Sequence, residues 1–168
     1  MIENDEFEQD EHDAEPLDML ARFFEANDWT FQYNGEDEII ASVQGSWTQY
    51  EFRAIWRAED QVLQLLALPD IRVAEDMRAT VYEALGLINE QLWLGHFELW
   101  SSTGIVLFRH GALISGNDSM NYEQAQLLVE VALDECERFY PVFQFVLWGG
   151  KTPTEAIAAS MIETRGEA

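Results

Sequence analysis

Leu17, Leu20, Ala21 and Phe24 recur at the spacing of one helix face, and Pro16 stands where a first helical residue would, so a short amphipathic helix is predicted to about Asn27. From Trp29 to Leu68 the period drops to two. Tyr50, Phe52, Ala54 and Trp56 alternate with Gln49, Glu51, Arg53 and Arg57, which gives one apolar and one polar strand face. With Gly35 and Gly45-Ser46 as turn signals, the stretch reads as an antiparallel meander with strands near 38–44, 47–57 and 61–68. Pro69 ends the third strand.

Met77, Val81, Leu85, Ile88 and Leu92 return to three- and four-residue intervals and predict a second helix. Residues 93–100 and 105–114 read as a hairpin across Ser101-Ser102-Thr103-Gly104. After Gly116, the polar run Asn117 to Asn121 offers caps for a long helix with the inner stripe Ala125, Leu128, Val129, Ala132, Cys136, Phe139 and Phe143. Pro141 is expected to kink or divide it. Thr152-Pro153-Thr154-Glu155 has the form of a capping box, so a short last helix follows through Ile157 and Met161. The order α-β-β-β-α-β-β-α-α, with hairpin-length links in both strand groups, predicts an α+β fold: an antiparallel sheet, three-strand meander plus hairpin, packed with helices. One sheet face is expected to be covered. The other is expected to keep aromatic residues for a partner or a second copy, the alternative being a sheet wrapped fully by helices from both ends.

At 168 residues and 48% hydrophobic, the chain suits one domain with a real core. Eight of its 32 acids and none of its 9 bases lie in residues 1–15, which predicts a solvated acidic tail ahead of a single domain over 16–168. The net charge of -23 opposes a phosphate backbone and argues against nucleic acid. Tyr140 to Trp148 is far shorter than the roughly 20 residues of a membrane span, and the first sixteen residues lack the basic and apolar parts of a secretory signal. A lone Cys136 allows no internal disulfide, so the cytoplasm is the expected compartment.

Residues 81–165 carry a distinctive set: Val81-Tyr82-Glu83, Ile88-Asn89-Glu90, Gly95-His96-Phe97-Glu98-Leu99, Glu137-Arg138-Phe139-Tyr140-Pro141, and Trp148-Gly149-Gly150-Lys151-Thr152-Pro153 before Glu155-Ala156. This set resembles the YbjN-domain family of bacterial proteins, also called "putative bacterial sensory transduction regulators". The resemblance spans most of the chain after Trp29. It implies the fold of type III secretion chaperones, small acidic cytoplasmic α+β proteins that often dimerise and hold extended segments of clients. It implies no reaction and carries over no catalytic residue.

Other constellations yield to simpler readings. Gly149-Gly150-Lys151-Thr152 ends like a phosphate-binding loop, but Phe145 stands where the first glycine belongs and the motif follows a helix instead of a strand. A glycine helix stop before a proline-started helix explains it better. His96 and His110 would face each other if the hairpin turn held three residues, with Glu98 on the His96 face, yet no fourth zinc ligand is suggested. Cys136 on an inner stripe behaves as a small inert hydrophobe. With 32 acids, no single carboxylate pair signals acid–base catalysis. The expectation is therefore a protein with no enzymatic activity, cofactor or metal. It would be a chaperone-like adaptor or regulator that binds a protein or peptide partner, or a second copy, through apolar surface. Trp47, Tyr50, Phe52 and Trp56 are the candidate contact residues. A small-ligand-sensing domain is the alternative.

Overall fold

A computed structural model describes residues 15–115 and 120–166. Of the expected acidic tail, only Glu15 falls among them, at the N-cap of helix α1 (Pro16–Ala26). Strands β1 (Thr30–Tyr33), β2 (Glu38–Gln44), β3 (Gln49–Arg57) and β4 (Val62–Leu68) follow. A 3₁₀ turn, Glu75–Met77, leads into α2 (Arg78–Asn89); then come β5 (His96–Leu99), β6 (Val106–Leu113), α3 (Tyr122–Leu147) and α4 (Pro153–Gly166). The expected α+β order is present, with the short strand β1 added ahead of the three-strand meander. All strand pairs are antiparallel, in the spatial order β1-β2-β3-β4-β6-β5. Among the described residues no helix is long and apolar enough to cross a membrane.

Register fixes the core. Phe31, Ala41, Phe52, Ala67, Phe108 and Phe97 are successive cross-strand neighbours, one row running through all six strands. Large and small side chains alternate along most of it, so helices can settle between the rings. Helix α1 packs over β1 to β3, α3 over β4 and β6, and α2 over β5, while α4 rests on α2 and α3. The helices thus form one layer on one sheet face. Trp29, just after α1, lies parallel to Phe52 at 6.1 Å, and Phe97 meets Phe108, Phe139 and Phe143 edge-on.

The opposite face corrects an expectation, because its strand positions in β2 to β4 carry no aromatic residue. Ile40, Ser42, Glu51, Arg53, Ile55, Gln64 and Leu66 occupy it, since strict alternation sends Tyr50, Phe52 and Trp56 to the helix side. Arg53 pairs with Glu51 at 3.0 Å and Glu38 at 3.6 Å. Arg109 pairs with Glu98 and donates to Gln64 at 2.9 Å. Apart from the buried Leu66 and Leu107, this face is mainly polar and carries ion pairs.

Helix α3 runs unbroken through Pro141, so the expected division does not occur. The ring is buried in a segment where Phe139, Tyr140, Val142 and Phe143 are all anchored in the core, and that packing outweighs one missing backbone donor. The caps follow the sequence. Asn121 and Gln124 form a reciprocal capping box, as do Thr152 and Glu155. Phe52→Ala should cost roughly 3–5 kcal/mol in urea denaturation, because it opens the central row and removes the platform under Trp29. Ile55→Ala, half-buried on the other face of the same strand, should cost clearly less.

Candidate functional site, an apolar groove beside strand β6

Strand β6 outruns its outer neighbour. Pairing with β5 stops at His96↔Arg109, whereas pairing with β4 continues to Val62↔Leu113. Residues 110–113 therefore have a strand on one side only, and the first half of α3 passes over them. The result is a groove of about 520 Å³ between Leu94, His110, Ala112 and Leu113 on one wall and Leu127, Leu128 and Val131 of α3 on the other, with Met120 and Gln124 at one end. Leu113 is 83% exposed at its lip, and Trp93, next to Leu94, is 99% exposed. Large apolar side chains held in water are costly unless something covers them.

Electrostatics sharpen the picture. Among the described residues no lysine or arginine lines the groove. Helix α3 carries Glu123, Glu130, Asp134, Glu135 and Glu137 before its first base, Arg138. Burial, and after it the neighbouring Glu130, push the Asp134 carboxyl above its usual range. Burial alone lowers the His110 imidazole, which favours its neutral form in the groove wall.

A second concavity, about 550 Å³, lies toward the β1–β3 side of the sheet and has a mixed lining, with Gln32, Ser42, Glu51 and Arg72 beside Ile40, Leu68 and Ile71. The β6 groove is lined mostly by apolar side chains and is the stronger candidate for an apolar ligand.

The structure scatters the four candidate contact residues. Tyr50 and Phe52 are buried core, Trp56 is half-buried opposite Leu63, and Trp47, 44% exposed, lies parallel to Tyr140 at 6.4 Å. They share no single surface, because the same alternation that makes the strand amphipathic turns 50, 52 and 56 toward the helices. Burial and the Glu137 carboxylate push the Tyr50 phenol upward.

His96 and His110 do not meet either. His96 lies opposite Arg109, a one-residue offset that puts the two histidines on opposite faces; His96 instead approaches Glu98 at 3.7 Å. Among the described residues no group of three or more His, Cys, Asp or Glu is placed to hold a metal ion. Cys136 is buried, and burial raises its thiol well above the usual value. The Gly149-Gly150 pair closes α3: Gly150 has φ +65°, Lys151 N–H donates to Phe145 O at 3.0 Å, and Lys151 Nζ sits 5.7 Å from the Phe145 ring centre.

Sequence reading missed the groove, though two residues signal it. Leu113 continues the outward phase of β6 set by Leu107 and Arg109, and Leu127 lies off the α3 stripe. Each is an apolar residue away from the side its element packs against the core.

The family model for YbjN, described as "Putative bacterial sensory transduction regulator", matches residues 16–145. The crystal structure of YbjN from E. coli, described as a "putative transcription regulator", is similar with a TM-score of 0.52 and 11% identity over 72% of this chain and 85% of that one. That likeness is one of fold. No match was found among curated proteins. The matched region runs from the start of α1 through nearly all of α3, and the chain belongs to the YbjN family.

Proposed function

We propose that this chain is a non-enzymatic regulatory adaptor, chaperone-like in action, that binds a polypeptide partner in the cytoplasm through the groove between β6 and α3. The observation that carries the reading is the groove itself: a concave, nearly all-apolar surface whose rim residues Trp93, Leu94, Leu113 and Leu127 are exposed. The family description as a regulator accords with it. A second reading, a sensor of a small amphipathic molecule, is favoured by the volume, which lies within the usual range of ligand sites, and by His110 and Gln124 as polar handles.

Random peptides displayed on phage should yield binders to the wild-type protein, and Leu127→Glu should abolish their binding. Leu127 is exposed, so the substitution should leave the melting temperature nearly unchanged. A metabolite that raises the melting temperature saturably, with no peptide enriched, would put the sensor reading first.

His110 offers a second check. Its folded pKa is lowered, so as pH falls through the ordinary histidine value of about 6.5 the unfolded chain takes up a proton before the folded chain does, and stability is lost. His110→Gln removes that loss. Between about pH 7.5 and about pH 5, the difference in melting temperature should move in favour of the variant; carboxylates such as Asp134 act in both proteins and cancel. A constant difference across that range would show that His110 stays solvated.

A further inference from the structure

Backbone groups along a strand point alternately to its two neighbours. On β6, Val106 N–H donates to Ile71 O at 3.1 Å, and just beyond the strand Ile114 N–H donates to Gln61 O at 2.9 Å, both on the β4 side. Ile105 O accepts from Trp100 N–H at 2.9 Å on the β5 side. Odd-numbered residues of β6 therefore aim N–H and C=O toward β5. Leu107 and Arg109 find Glu98 and His96 there. Gly111 and Leu113 find no strand opposite, because β5 begins only at His96, after Gly95 with its φ of +68°. Both are exposed, and they present two donors and two acceptors at β-strand spacing to solvent. Even-numbered His110 and Ala112 turn their side chains the other way, into the groove.

We infer that the partner docks as an extended strand on this open edge of β6. Its backbone pairs with Gly111 and Leu113, alternate apolar side chains enter the groove against Leu127 and Val131, and lysine or arginine flanks them. The inference rests on the polypeptide-binding reading above. Two features meet at this place: unpaired backbone groups, and beneath the strand position they define an apolar groove that no lysine or arginine lines among the described residues. The chain's net charge of -23 repels a second copy and attracts a basic segment, which settles the occupant between those two.

The test separates backbone pairing from burial in the groove. A proline at position 111 removes the outward N–H and leaves the donors to β4 in place, although its ring also restrains φ; a Cβ there meets nothing within 4 Å, so Gly111→Ala is a control for the added side chain that keeps the donor. Random heptapeptides selected on phage against the wild-type protein should carry apolar residues at every second position together with lysine or arginine. Gly111→Pro should weaken their binding by about tenfold or more, with Gly111→Ala within about twofold. Should Gly111→Pro fail to fold, N-methylation of the selected peptide at alternate residues asks the same question: one alternate set should weaken binding by about tenfold and the other should not.

Peptides that are lost with Leu127→Glu yet bind Gly111→Pro as they bind Gly111→Ala would overturn strand pairing and leave the groove reading standing. Absence of any enriched peptide removes both. A wild-type dimer in sedimentation that Gly111→Pro dissolves would assign the edge to a second copy and overturn the inference.

Discussion

The row Phe31, Ala41, Phe52, Ala67, Phe108, Phe97 is the constraint on which the other contacts depend. A sheet face made only of large rings would hold the helices too far off to pack against the backbone between them, and one made only of alanines would bury too little area to fix them. Alternating the two lets α1 bring Trp29 onto Phe52 and lets α3 bring Phe139 and Phe143 against Phe97. Each helix is thereby keyed to a few rings, and a one-residue slip of any strand would carry its rings to the solvent face.

That same alternation explains what could be read beforehand. Helix faces, capping boxes and the amphipathic strand around Phe52 are local properties of neighbouring residues, and they appear in the structure near their expected places. Cross-strand partnership is not local. Whether His96 lies opposite His110 or Arg109 depends on one residue of turn length, and the answer decides which face each occupies. Trp47, Tyr50, Phe52 and Trp56 looked like one aromatic set because they are close in sequence, but three of them share the helix side and the fourth belongs to the turn before β3. Strand β1 was missed for a related reason: Thr30–Tyr33 is short, and its pairing with β2 becomes evident only once the register across Thr30↔Ser42 is known. The unbroken path of α3 through Pro141 is again tertiary, since buried neighbours on both sides hold the helix together across a residue that locally disfavours it.

The groove is a consequence of unequal strand lengths. Helix α2 and the turn after it deliver the chain to β5 late, so β5 covers only the first half of β6. Helix α3 is long enough to pass over the uncovered half as well, and its inward stripe is already committed to Ala125, Val129 and Ala132. Leu127 and Val131 therefore face the gap and not the core. Neither element would create such a surface by itself. It arises where α3, which packs over β4 and β6, passes over the end of the sheet at which one strand stops short.

Acidity and exposed apolar surface then become parts of one balance. A protein with Trp93 and Leu113 held in water would tend to associate with itself through them. The charge of -23 opposes every encounter between two copies while leaving the groove open to a chain of opposite sign. Both effects are Coulombic, so salt weakens both, which favours association between copies and disfavours capture of a basic segment. At an ionic strength near 0.1 M, where screening sets in over about 10 Å, repulsion between copies and attraction to a basic segment both still operate. At much higher salt both fade and only apolar burial remains, which does not distinguish a partner from a second copy. On the proposed reading, selectivity for a partner would reside in the charges and affinity in the groove, so the acids would not need to touch the partner to determine what occupies the edge of β6.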